Sequence, residues 1–323
     1  MAPSLTPPSG LLLYTLQSHT EGIRSVTITP DEQQIISASA DHTIKIWDLQ
    51  RGVELATLQG HTDGVSGLVV LPDGQRLLSS SWDGTLKVWE LQCAVVLCTL
   101  EGHSEGISGV AVTPDGKIAI SASRDCTRKV WDLESGELLK TFPIRKGSNE
   151  APVLINGQKI VFNIYNPISE HLAVTLDGQK VISTTDYPTP WNPTLVVWDL
   201  LTGQEEFSLS GHQSSIHDLV IMLDGERVIS AANDRTIKVW NLKNGEELFT
   251  LADSACVESI ALLPDGKRLV SATGNDAIKV WDLENRKELG TLGVHHRVHG
   301  IAVTPMEDEL SLAHLMVLSK SGT

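Results

Sequence analysis

The sequence predicts an all-β fold made of small antiparallel meanders repeated around a common axis. The first observation is the stretch 60–91, GHTDGVSGLVVLPDGQRLLSSSWDGTLKVWEL, in which apolar and polar residues alternate around a Pro-Asp-Gly turn and again around Asp83-Gly84. The second is spacing: His19 and Trp47, His61 and Trp89, His103 and Trp131, and His212 and Trp240 are each 28 residues apart. The third is the period. Trp47, Trp89 and Trp131 follow one another at 42 residues, Trp198 and Trp240 do the same, and Trp281 comes 41 later. A period in this range, opened by Gly-His and closed by Trp-Asp, is the signature of radially stacked four-stranded blades.

Within the unit, 68–71 and 76–81 are β-favouring runs. Asp73-Gly74 between them reads as a type I′ hairpin, whose two central residues both take positive φ. Strand 85–89 follows Asp83-Gly84 in the same manner. A sheet this small cannot bury both faces alone, so it needs copies of itself.

Position, spacing and residue type recur together, and over about residues 10–305 the chain resembles the WD40-repeat family. That resemblance implies a seven-bladed β-propeller. Residues 1–9, rich in Pro and Ser, read as a linker or disordered tail, and 10–323 as the propeller. The run 11–16, LLLYTL, matches the outer strand of later repeats such as VELATL at 53–58. In the family such an early strand completes the last blade, so the ring is expected to be closed by this N-terminal strand. Blades one to six centre on Trp47, Trp89, Trp131, Trp198, Trp240 and Trp281, and HHRVHGIAVTP at 295–305 begins a seventh. Two insertions, about 143–170 and 186–193, flank the start and middle of blade four. After Pro305 the Asp-Gly turn and Trp-Asp strand give way to 306–323, so the seventh blade is expected to be irregular.

With 323 residues and 41% hydrophobic content the chain has ample core material, and the fixed period favours one closed ring over two domains. A net charge of −15 argues against a nucleic-acid partner, whose phosphates are gripped by clustered Lys and Arg. No apolar run is long enough to span a membrane, and the four cysteines show no CxxC pairing. Together these read as a monomeric cytoplasmic protein with reduced thiols.

The recurring polar set invites a catalytic interpretation. It comprises His19, Ser37, Asp41 and Trp47; His61, Ser79, Asp83 and Trp89; His103, Ser121, Asp125 and Trp131; and His212, Ser230, Asp234 and Trp240. A nucleophilic triad needs an oxyanion hole and occurs once per active site, whereas this set recurs in every regular blade. The resemblance implies a structural tetrad, a hydrogen-bonded chain tying each blade's entry loop to its inner hairpin. Blade four has Ser183 and Trp198 but no Gly-His, and blade six has Asp253-Ser254 in that place. His295, His296 and His299 would align as metal ligands only on a helix, and here they lead into a strand, so no metal or other cofactor is expected. GxxxxGK[ST] and HExxH motifs are absent.

The family's partner-contacting positions lie on the narrow face of the disc. Carried over one at a time, they fall on Arg24, His217, Glu258 and His299 before the inner strands, with smaller Ser66 and Ser108. Before the turn Asp they fall on Trp82, Arg124, Asn233 and Asn275. Tyr187 and Trp191 of the second insertion would add aromatic anchors. The resulting expectation is a non-catalytic interaction module that binds a protein or peptide. The uniform repeats and the PSLTPPSG leader resemble the sensor portions of bacterial STAND-type NTPases, which would make other domains of such an assembly its partners. Two alternatives stand beside it: an enzyme with its site in the central channel or under the blade-four insertions, and a passive scaffold whose last blade has decayed.

Overall fold

A computed structural model describes residues 16–143, 153–155, 158–160, 172–185, 194–275, 277–293, 298–303 and 315–319. Six four-stranded antiparallel blades stand side by side. Blade 1 runs Ile23–Ile28, Gln34–Ser39, Ile44–Asp48 and Glu54–Leu58, from the central axis outward. Blades 2 to 6 occupy 65–100, 107–143, 172–210, 216–252 and 257–293 in the same strand order.

The expectation of seven blades is corrected. At the seventh place the described residues hold only a two-stranded sheet, Val298–Val303 against Leu315–Ser319. Its first strand packs against the innermost strands of blades 6 and 1 and so sits between them. The physical reason is visible after Pro305, where the turn and Trp strand needed for a third and fourth strand are missing. Of the expected closing strand 11–16, residues 11–15 lie outside the described residues and Leu16 is not in a strand. Of the first insertion, a short hairpin of Val153–Ile155 and Gln158–Ile160 is described, and the second insertion lies outside.

The core lies between blades. Alternation along the second strand sends Ile36 toward blade 2, where it meets Val65, Leu68, Leu77 and Trp89. The same step recurs from Leu78 and Val88 to Ala119 and Trp131, and from Ile229 and Val239 to Leu269 and Trp281. Second strands such as RLLSSS and IAISAS are buried along five of six residues, which explains their small Ser and Ala side chains. Ile301 of the two-stranded sheet joins Val270 and Ile278 of blade 6 in the same manner.

The Pro-Asp-Gly hairpins differ from the expected type I′. Gly74 has φ 68, but Asp73 is not among the positive-φ residues. Gly74 N donates to Leu71 O at 2.9 Å and Leu71 N to Arg76 O at 2.8 Å. That pattern is a type I turn with Pro at its second position, followed by one left-handed glycine. Asp73 Oδ1 then accepts from Gln75 N and Arg76 N, an electrostatic role a type I′ turn would not need.

Candidate functional site

Each regular blade holds its polar set as one chain of hydrogen bonds. In blade 2, Trp89 Nε1 donates to Ser79 Oγ at 2.8 Å, Ser79 Oγ meets His61 Nε2 at 2.7 Å, and His61 Nδ1 meets Asp83 Oδ2 at 2.8 Å. The corresponding His–Asp distances are 2.8 Å for His19–Asp41, 2.7 Å for His103–Asp125 and 2.9 Å for His212–Asp234. An indole donates only, so Ser accepts from Trp and donates to Nε2, which leaves Nδ1–H for the carboxylate. Asp83 also accepts from Thr62 N, Thr85 N and Thr85 Oγ1.

These bonds fix the charge states. Burial alone would raise the Asp234 carboxyl, but bonds from His212, Thr236 and Gln213 outweigh it and hold the group at about 2. Asp83 is likewise held well below the carboxylate range against burial. Burial dominates at His19 and His103 and pushes both imidazoles down, in spite of their Asp partners. The serine hydroxyls are wholly buried and already engaged on both sides, so none is placed to attack a substrate.

Blades 4 and 6 depart from this pattern. Ser183 Oγ and Trp198 Nε1 are buried without a hydrogen-bond partner among the described residues. Phe142 packs edge-on against Trp198 with ring centroids 5.7 Å apart, and the Arg128 guanidinium lies 5.5 Å from the same ring. In blade 6, Trp281 Nε1 still donates to Ser271 Oγ at 2.9 Å. Asp253, which with Ser254 replaces the Gly-His pair, instead pairs with Lys279 at 2.9 Å, and its Oδ2 has no hydrogen-bond partner among the described residues. Sequence reasoning passed over the lysine of KVWDL. Lys45, Lys87, Lys129 and Lys238 each donate across to a threonine of the outer strand at 2.9–3.0 Å.

The candidate partner positions occupy a common structural place. The ladder between the first and second strands slips between Ile23 and Ser25, Val65 and Gly67, Ile216 and Asp218, and Val257 and Ser259. Arg24, Ser66, His217 and Glu258 are therefore bulge residues, and a bulge re-aims the side chain it carries. All four line a central channel of about 310 Å³, with Ser108 and the backbone of several inner strands. Trp82 and Arg124 lie on the neighbouring turns, and the structure gathers them with Arg24. The guanidinium carbons of Arg24 and Arg124 stand 4.9 and 5.6 Å from the centroid of the Trp82 ring. Asn233 and Asn275 are exposed on the turns of blades 5 and 6. The side chain of His299, and Tyr187 and Trp191 entirely, fall outside the described residues.

One channel residue was not anticipated. Asp218 Oδ2 accepts from Ser259 Oγ and Ile260 N of the next blade, both at 2.9 Å, and Oδ1 accepts from Leu219 N at 2.8 Å. Burial among protein groups raises its carboxyl to about 6, beyond what those three bonds offset. The available signal was an Asp where the other inner strands have Ser25, Gly67, Gly109 or Ser259. Among the described residues no cluster of His, Cys, Asp and Glu fits a metal ion, and no helix is long and apolar enough to cross a membrane. All four cysteines are free.

Four-stranded meanders, each braced from within and packed blade against blade, define a β-propeller built from sequence repeats. The chain belongs to the WD40 family: the model described as WD domain, G-beta repeat matches residues 10–48, 52–90, 94–132, 203–241 and 245–282. The matches omit 133–202, which carries both insertions and the unbraced Trp198. Among relatives, the chain is 33% identical over 93 residues to Autophagy-related protein 16 of Arabidopsis thaliana, which is 28% of this chain and 17% of the relative. It is 48% identical over 40 residues to human Striatin-3, 12% of this chain and 5% of the relative. It is 32% identical over 88 residues to Small ribosomal subunit protein RACK1 of Candida albicans, 22% of this chain and 28% of the relative. The matches thus span less than a third of each of these relatives.

Proposed function

We propose that this protein is a non-catalytic interaction module that binds a protein or peptide on the narrow face of its disc. The observation that carries the reading is the convergence of bulge residues Arg24, Ser66, His217 and Glu258 at one channel, with Trp82 and Arg124 beside them. Polar and aromatic side chains on a rigid rim suit recognition, since little entropy is lost when they are engaged. The wholly buried serines, each already bonded, weigh against nucleophilic chemistry at the repeated sets. Uniform repeats and a proline-rich leader support a sensing role within a larger STAND-type assembly. The four free cysteines suit a reducing cytoplasm.

The test is capture by the intact chain, followed by cross-linking of whatever is held. A His217→Ala, Asn233→Ala, Asn275→Ala variant should lose the captured protein, while a Val95→Ser, Leu97→Ser variant on the exposed outer strand of blade 2 should keep it. Cross-links should map to the narrow rim. Capture that survives the first variant and fails with the second would overturn the assignment of the face.

A further inference from the structure

Resting on that reading, we propose that Arg24, Trp82 and Arg124 form the anchor of the narrow face and recognise a peptide bearing two closely spaced carboxylates. The three residues come from three different blades, so the arrangement is a product of the ring and of no single repeat. Arg24 bulges from the inner strand of blade 1, Trp82 sits on the turn after the second strand of blade 2, and Arg124 on the equivalent turn of blade 3. The indole is held in place by close approach of backbone. A Cβ on Gly64 would stand 2.7 Å from Trp82 Cε3, and one on Gly106 would stand 3.0 Å from Trp82 Cα. Glycine at 64 makes room for the ring, and glycine at 106 for the backbone that carries it.

Charge points to the ligand. The chain has 40 acidic residues against 25 Lys and Arg, and the hairpin-turn arginines Arg76, Arg227 and Arg268 each bond the Asp of their own turn at 2.5–2.6 Å. Arg24 and Arg124 are exposed, and among the described residues neither has a carboxylate partner. In so acidic a protein, two guanidiniums stacked on one indole and left without counter-charge are complementary to an incoming anion. Stacking on the ring also preorganises them, since a guanidinium retains its donor fork while its face rests on an aromatic.

Geometry narrows the class. Both guanidinium carbons lie within 5.6 Å of one ring centroid, so they are no more than about 11 Å apart. Carboxylates on alternate residues of an extended peptide project from the same side roughly 6–7 Å apart, within reach of the pair. Each guanidinium can take one carboxylate through two parallel N–H···O bonds. The intervening backbone and an apolar neighbour can rest on the half-buried indole. The overall charge of −15 repels acidic chains elsewhere on the surface, which confines such a ligand to this spot.

The experiment uses the full chain and fluorescein-labelled twelve-residue peptides in anisotropy titrations. The probe carries repeated Glu-Ala-Glu, and the controls carry Gln-Ala-Gln, a single phosphoserine, or repeated Lys-Ala-Lys. The Glu peptide should bind at least tenfold tighter than the Gln peptide. Arg24→Gln with Arg124→Gln should remove that preference, and Arg24→Lys with Arg124→Lys should restore only part of it. Both pairs are exposed, and unchanged circular dichroism would verify the fold. Equal binding of the Glu and Gln peptides, preference for the phosphoserine peptide, or an intact Glu preference in the Gln variant would each overturn the proposal. If captured protein still cross-links to the narrow rim while the Glu peptide fails, this inference falls alone. If nothing maps to that rim, the broader reading falls first.

Discussion

The same substitution should have opposite signs in two blades. Ser230 Oγ accepts from Trp240 Nε1 at 2.9 Å and meets His212 Nε2 at 2.7 Å, so Ser230→Ala strands a buried indole N–H and a buried imidazole nitrogen. Each unsatisfied group costs roughly 1–3 kcal/mol, giving a loss of about 2–6 kcal/mol for the pair. Ser183 occupies the equivalent place in blade 4, pairing with Val196 as Ser230 pairs with Lys238, but its hydroxyl is buried with no partner among the described residues. Ser183→Ala deletes an orphan and strands nothing, so it should gain about 1–2 kcal/mol. For a chain of this length the entropy of unfolding is about 0.7 kcal/mol/K, so the first change lowers the melting temperature by about 3–9 °C and the second raises it by about 1–3 °C. Scanning calorimetry of the two variants beside the parent decides the matter. A melting temperature that falls by the same amount in both would refute the idea that blade 4 lacks the bracing of blade 5.

Three further expectations follow from other sites. His61→Ala should cost about 2–4 kcal/mol through its bonds to Ser79 and Asp83, and Asp253→Ala less than about 1 kcal/mol, because Asp253 carries an orphan oxygen and Lys279 keeps Glu288 at 3.2 Å. Melting temperatures in the reverse order would count against this. Asp218 has a folded pKa of about 6 against an ordinary 3.8, so between about pH 4 and 6 the folded state holds a proton the unfolded chain has released, and stability falls as pH rises through that window. Relative to Asp218→Asn, which has no such slope, the parent should lose about 1–3 kcal/mol between pH 4 and 7, read as urea midpoints. His19 and His103 act in the opposite sense below pH 6.5, but equally in both proteins, so their effect cancels; parallel pH curves would refute the assignment. Gly64→Ala places a methyl against the indole of Trp82 and should cost about 1–3 kcal/mol while moving the ring, with tenfold weaker binding of the Glu-Ala-Glu peptide; unaltered binding would show that the ring need not be held there.

Much of the frame could be read from the chain because local and global signals agree in it. Residues 76–81 alternate, begin after a turn and end before one, and the strand is Arg76–Ser81. The spacing of His61 from Trp89 placed both in one blade, since a meander returns its third strand beside its second after a fixed number of residues. The blade count went astray because a repeat can begin without finishing: 295–305 announces a blade, and only the chain beyond Pro305 decides how many strands follow. The turn at Asp73-Gly74 was mistaken because Asp-Gly suits both turn types, and Pro72 at the preceding position, which favours type I, was given no weight. The grouping of Arg24, Trp82 and Arg124 was only partly visible. Each belongs to a recognisable position, but their meeting on one ring depends on how three blades are packed. Asp218 escaped altogether, since a half-buried carboxylate is satisfied by backbone and hydroxyl donors of the next blade, at a sequence distance of 41 and 42 residues.

Because Trp89, Ser79, His61 and Asp83 all come from one 42-residue stretch, the gene segment that encodes them transmits a finished part. Such a part can be duplicated or exchanged by recombination in one event with its own Trp–Ser–His–Asp chain complete. The Asp218 carboxylate is bonded to Ser259 and Ile260 across a boundary, and there the copies have become dependent on one another. Shuffling that cuts between those two copies breaks a bonded junction, whereas inheritance of the two as a block preserves it.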